Sequence, residues 1–291
     1  MRVSISLTNY SWPAGPAATA AELRRTADAA EAAGVDTIWA ADHLVQADPS
    51  SEVHEPMLEA HSVLSYLAAR TTRVRLGTLV SPATFRPPAL LIKQVTTLDV
   101  ISGGRAWLGL GAGYNTDEGG AMGLAVPDVA TRFDVLTDTL EIAHRLWSGD
   151  ESPYAGRRTR LERPIGRPLP LSRPHPPILI GGTGARRTLR LVAEYADACN
   201  LFDIPDGGES VRRQLDVLDR HCADVGRDPA QIERTVSTAL PAGEPSASFI
   251  GRCGLLAALG LQHVIVITRG TPWTPDDFET IAAAVAELDD V

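Results

Sequence analysis

One rhythm constrains this chain more than any other feature: a short apolar run followed by an apolar pattern at helical spacing, recurring eight times along 291 residues. Residues 3–7 read as the first strand. Residues 18–33 then carry Leu23, Ala27 and Ala30 at helical spacing before Gly34, a residue suited to end a helix. Further strands are predicted at 37–41, 73–81, 106–110, 177–181, 197–202, 232–238 and 263–268, with helices at 57–69, 89–100, 131–147, 185–195, 210–225, 246–259 and 274–288. Strands that alternate with helices are parallel, because a parallel pair needs a crossover of a dozen or so residues between its members. Eight units of roughly 36 residues match a closed (β/α)8 barrel, whereas open doubly wound sheets more often stop at about five to seven strands. The fold class is therefore α/β, with 1–291 read as a single barrel domain. One stretch breaks the rhythm. Residues 148–176 hold Pro153, Pro164, Pro168, Pro170, Pro174 and Pro176 together with several arginines, and are predicted to be an irregular insertion between strands 4 and 5.

Composition narrows the function. Hydrophobic residues at 44% supply a sizeable core, and no run is long and apolar enough to cross a membrane, so a cytoplasmic protein without membrane contact is expected. A net charge of −9 opposes nucleic-acid binding and favours a small-molecule partner. Cys199, Cys222 and Cys253 are widely spaced and odd in number, which indicates reduced structural thiols. His54, Glu55, Glu59 and His61 lack H-E-x-x-H spacing, so no metal site is expected, and without a G-x-S-x-G elbow a serine hydrolase has no support.

In a (β/α)8 barrel the chemistry gathers at the C-terminal ends of the strands. Asp42-His43 follows strand 2, where an imidazole can exchange a proton near neutral pH and the preceding carboxylate can tune it; the alternative is a structural or solvated histidine. Residues 78–84 follow strand 3 and offer either a wall for a flat ring or an ordinary turn. Residues 109–115, Gly-Leu-Gly-Ala-Gly-Tyr-Asn, place the third glycine one position too early for G-x-G-x-x-G and lack the distal acidic residue, which rejects a dinucleotide fold. Those glycines instead allow close backbone approach, with Asn115 available for a hydrogen bond. Gly181-Gly182-Thr183-Gly184 opens a helix and is read either as a phosphate cradle or as a plain β/α turn.

Taken together, these loops resemble the luciferase-like monooxygenase superfamily, particularly its branch that uses coenzyme F420. The residues that carry the resemblance are Trp39 to Leu44, Leu76 to Ser81, Pro88 to Gln94, Thr97 to Asp99, Ser102 to Arg105, Leu108 to Gly113 and Pro177 to Gly182, in family order over nearly the whole chain. The resemblance implies a bacterial-luciferase-like TIM barrel and a deazaflavin across its mouth, contacted by Asp42, Leu79, Val80, Ser81, Asn115, Gly181, Gly182, Thr183 and Gly184. It also implies a bulge after strand 3 with a non-prolyl cis peptide at Leu79–Val80. Tyr114 stands where this branch commonly has Trp. His43 matches a position for substrate binding or proton transfer, so the implied activity is hydride transfer between F420 and a small organic substrate. An FMN-dependent monooxygenase and a non-catalytic cofactor-binding barrel are the alternatives. An acidic cofactor tail makes Arg157, Arg158, Arg160, Arg163, Arg186 and Arg187 candidate contacts, and the family tendency is compatible with a homodimer.

Overall fold

The computed structural model describes residues 1–288. Its sheet is built from β1 (Arg2–Leu7), β2 (Thr37–Ala40), β3 (Arg75–Thr78), β4 (Ser81–Pro82) and β5 (Leu108–Gly111), followed after the β6 (Tyr154–Ala155) and β7 (Arg160–Leu161) hairpin by β8 (Ile178–Gly181), β9 (Ala198–Phe202), β10 (Glu233–Ala239) and β11 (His263–Ile267). The helices are α1 (Thr19–Ala32), α2 (Ala60–Ala68), α3 (Pro88–Ser102), α4 (Thr116–Ala121), α5 (Val129–Ser148), α6 (Thr188–Tyr195), α7 (Glu209–Val225), α8 (Ser246–Ala258) and α9 (Pro275–Leu288). The parallel order β3-β2-β1-β11-β10-β9-β8-β5-β4 closes on itself through a parallel bridge between Leu76 and Ala106. Because β3 and β4 are two halves of one barrel strand, eight strands make the ring.

The third strand is split instead of continuous over 73–81, and the split falls at the Leu79–Val80 bond where the family resemblance implies a bulge with a non-prolyl cis peptide. It breaks at a cis peptide between Leu79 and Val80, so β3 pairs with β2 while β4 pairs with β5. The short helix α4 was read as part of a Gly-rich connection; Asn115 caps it by accepting the Glu118 N–H at 3.1 Å. No described helix is long and apolar enough to cross a membrane.

Strands buried on both faces must serve two apolar layers, and period-two alternation divides the side chains between them. Ile5, Ile38, Leu76, Leu108, Ile180, Leu201, Val236 and Val264 point outward into the layer beneath the helices. Trp39, Trp107, Leu179, Ala198 and Ile265 fill the barrel interior, with Leu79 and Val80 packed on top. Gly77 is needed there, because a Cβ on it would lie 2.7 Å from both Trp39 and Trp107. Several interior polar positions pair with one another: His263 sits 2.7 Å from Glu233 and also meets Ser4, while Asn200 donates to Ser237 at 2.9 Å.

The segment 148–176 contains the β6–β7 hairpin and cis peptides before Pro168 and Pro174. Two fully buried carboxylates hold it to the barrel. Asp138 accepts the N–H groups of Arg157, Arg158 and Thr159 at 2.7–2.9 Å, and Asp99 accepts those of Leu171 and Ser172 at 2.6 and 3.0 Å.

Candidate active site

A cavity of about 380 Å³ opens at the C-terminal mouth of the barrel. Its floor is set by the break in strand 3, which directs Val80 between the glycines that end β5 and β8. A Cβ on Gly111 would lie 2.8 Å from one Val80 methyl, and a Cβ on Gly181 would lie 3.0 Å from the other. Glycine at both strand ends therefore gives Val80 its place and leaves the floor shallow. Ser6 and Ile267 complete this layer, and the buried Ser6 Oγ has no hydrogen-bond partner among the described residues. A polar atom of that kind can bond to water or to a ligand with a polar edge.

His43 stands on the cavity wall just beyond β2, and its Nδ1 lies 2.7 Å from Glu118 Oε2. The other Glu118 oxygen accepts the N–H of Leu44. Burial alone would raise the Glu118 carboxyl, but the hydrogen bonds from His43 and Leu44 and the charge of His43 overcome it and hold the group below the usual carboxylate range. An Asn-x-x-Glu pattern at the start of a helix is the signature of a capping box, in which the glutamate reaches back to the capping residue. Here that side chain goes to the His43 loop instead. Glu118 was missed by sequence reasoning, although the pattern Asn115-x-x-Glu118 marks both the helix and its ionisable residue.

On the opposite side, β8 ends in Gly181 and the chain turns through Gly182 at φ +120°. A Cβ on Gly184 would meet Thr188 Oγ1 at 2.7 Å, so the loop lies close on the first residue of α6. Gly181, Gly182 and Thr188 all line the cavity. The free N–H groups and dipole of a helix start suit an anion. A shallow floor, an unpartnered hydroxyl and a helix N-terminus at one edge fit a flat heterocycle that carries a phosphate.

The structure thus gathers His43, Leu79, Val80, Gly181 and Gly182 around one cavity, while Asp42, Ser81, Asn115, Thr183 and Gly184 are not part of its wall. The Asp42 carboxylate is fully buried, held by both terminal nitrogens of Arg86 at 2.6 and 2.9 Å and by the Ser81 hydroxyl. Arg86 also reaches Glu59 at 2.7 Å, and burial pushes the neighbouring His61 below the ordinary imidazole value. Of the six arginines considered for a cofactor tail, Arg157, Arg158 and Arg163 pair with Glu141, Asp134 and Glu151. Arg160 lies against α3 in a separate groove. Arg186 and Arg187 join Arg190 in a depression of about 300 Å³ that shares Phe133 with the main cavity.

A closed parallel barrel with a cis break in its third strand and polar groups converging on its C-terminal mouth defines a class of barrel proteins built to hold a ligand over the strand ends. Residues 1–250 match the luciferase-like monooxygenase family, and the chain belongs to it. It is similar to the F420-dependent glucose-6-phosphate dehydrogenase of Kineococcus radiotolerans, 30% identical over 243 residues that cover 80% of this chain and 67% of that protein. Among solved structures, it superposes on a monooxygenase from Streptomyces bottropensis with a TM-score of 0.80 at 20% identity, covering 99% of this chain and 98% of the other. An F420-dependent secondary alcohol dehydrogenase, solved with an F420-acetone adduct, gives 0.79 at 15% identity, with 99% and 98% covered. At these identities the superpositions speak for the fold.

Proposed function

We propose that this protein is an F420-dependent oxidoreductase that moves a hydride between the deazaflavin and a small organic substrate, with His43 handling the accompanying proton. Residues 1–291 act as one barrel unit, with 148–176 as an elaboration of it. The observation that carries the reading is the His43–Glu118 pair on the wall of the same cavity as the Leu79–Val80 break and the Gly181–Gly182 turn. The relative named as F420-dependent supports this cofactor over FMN. A bound deazaflavin supplies a two-electron hydride donor or acceptor and leaves the proton to the protein.

The residues present divide that work. Val80, Gly111 and Gly181 would support a flat ring, Ser6 Oγ would be available to a polar group on it, and Gly182 with the α6 N-terminus would hold a phosphate. Arg186 and Arg187 would face an acidic extension leaving past Phe133, while Arg190 beside them is paired with Glu194 at 2.6 Å. Ionised Glu118 accepts the Nδ1 hydrogen of His43 and fixes the ring, so that the imidazole in its neutral form would present the Nε2 lone pair to a substrate hydroxyl. In the reverse direction the protonated ring returns that proton to a carbonyl oxygen.

Fluorescence titration with F420 and with FMN tests the cofactor. We expect saturable F420 binding; tight FMN binding with oxygen consumption and no F420 binding overturns the reading. The His43→Ala variant should lose about 10²- to 10⁴-fold in kcat, the range typical of a general acid or base, while its F420 affinity stays close to that of the unaltered protein. Unchanged turnover removes His43 from the mechanism.

A further inference from the structure

We infer that the substrate side of this site takes a neutral, largely apolar secondary alcohol or its ketone, and not a sugar phosphate. The inference rests on the F420-dependent hydride-transfer reading above and specifies its substrate. It departs from the activity named for the Kineococcus relative, whose substrate is a phosphate ester.

The cavity wall is the first ground. Among the described residues it carries neither lysine nor arginine, and His43 and Tyr114 are its only titratable side chains. The remainder are apolar groups, glycines, hydroxyls and the amide of Asn200. The chain contains a single lysine, Lys93 on α3, and its ammonium is bonded to the carbonyl of Arg167. A phosphate ester brought into this space would give up hydration without receiving the charge-assisted hydrogen bonds that such groups need.

None of the nearby guanidinium groups is part of the cavity wall. Arg86 is enclosed by Asp42 and Glu59. Arg252 pairs with Glu244 at 2.8 Å and approaches Asp203 at 3.5 Å, and Arg269 lies 3.9 Å from Asp48. Arg186, Arg187 and Arg190 sit beyond Phe133, beside the turn assigned to the cofactor phosphate. Ionised Glu118 behind His43 adds negative potential on the substrate side.

The rim points the same way. Tyr114 is 73% exposed, Phe202 48% and Ile204 44%, and the first two border the cavity. Exposed aromatic surface at a cavity mouth marks a place where an apolar ligand is covered. About 380 Å³ must hold the cofactor ring together with the substrate, which restricts the substrate to a small molecule. In the oxidising direction the hydride leaves the carbinol carbon for the deazaflavin, the hydroxyl proton passes to His43 Nε2, and a ketone remains.

The test uses the full chain loaded with oxidised F420. Fluorescence quenching first reports cofactor binding; its absence overturns the cofactor reading and this inference with it. With binding established, kcat/KM is measured for cyclohexanol, 2-propanol and glucose 6-phosphate, and calorimetry follows cyclohexanol and inorganic phosphate on the loaded protein. We expect an alcohol to be preferred by at least about 100-fold, as for a charged ligand entering a site without a partner, and phosphate in excess to be without effect on turnover. The Phe202→Ala variant should weaken cyclohexanol binding roughly 3- to 10-fold through lost aromatic contact while F420 affinity is retained. Preference for glucose 6-phosphate, competitive inhibition by phosphate, or failure of either alcohol to bind or turn over each overturns the substrate inference alone.

Discussion

His43 and Glu118 are 75 positions apart, and the structure brings them within hydrogen-bond distance through two different β/α loops. A carboxylate on Nδ1 orients an imidazole and stabilises its cation, so in the proposed reaction the pair would set both the geometry and the charge available to the proton. Replacing Glu118 by Gln keeps the shape and removes the charge. Turnover should fall roughly 10- to 100-fold, the usual effect of losing a group that orients a histidine, with F420 affinity largely kept in a fluorescence titration. Equal turnover would reduce Glu118 to a loop anchor. The linkage has a defined sign. A depressed carboxyl stabilises the fold at pH above its ordinary value and loses that contribution as pH falls through the lowered one, so the unfolding free energies of parent and Glu118→Gln should converge in acid. The neighbouring Asp42 makes a different point. Adjacent to His43 in sequence, it turns into a buried pair with Arg86 and fixes the loop from beneath.

At the scale of elements, carboxylates act as acceptors for backbone amides that no ladder supplies. Glu59 caps α2 by accepting the Ser62 N–H. Burial would raise its carboxyl, yet the bonds from Ser62 and the Arg86 guanidinium hold it near about 2 instead of its ordinary 4.5. The cap is thus fully formed above pH 4.5 and is lost as pH falls toward 2, and amide exchange at Ser62 should accelerate across that interval. Exchange that stays flat would show that the cap does not hold the helix start. Asp138 plays the corresponding part for the insertion, with three amide donors on one carboxylate. Asp138→Ala should expose the amides of Arg157, Arg158 and Thr159 to rapid exchange and cost about 1–3 kcal/mol in urea unfolding, because amides released to water recover part of the loss. The insertion was legible as an irregular, proline-rich interruption. Its anchors were not, because Asp99 and Asp138 lie on α3 and α5, outside the segment they hold.

For the whole molecule, barrel closure depends on glycine where strands crowd. A Cβ on Gly109 would lie 1.7 Å from the Thr78 carbonyl oxygen, a backbone atom that cannot yield without moving β3. Gly109→Ala should cost roughly 3 kcal/mol or more, the upper range for overpacking. Gly251 on α8 has nothing within 4 Å of the same added atom, and alanine there should stabilise by about 0.5–1 kcal/mol. Parallel thermal unfolding of the two variants checks the contrast; similar shifts would mean the closing seam is softer than its geometry implies. The eightfold alternation of apolar runs and helical patterns carried the barrel in the chain alone, since periodicity and chain order set which faces are buried and how consecutive strands connect. It also located the strand ends where His43, Leu79, Val80, Gly181 and Gly182 gather. Only the tertiary structure decided that Glu118 would hold His43, that Asp42 would face Arg86, and that the cavity wall would carry neither lysine nor arginine among the described residues. Those outcomes depend on distances between residues far apart in sequence, and local pattern does not encode such distances until the barrel closes.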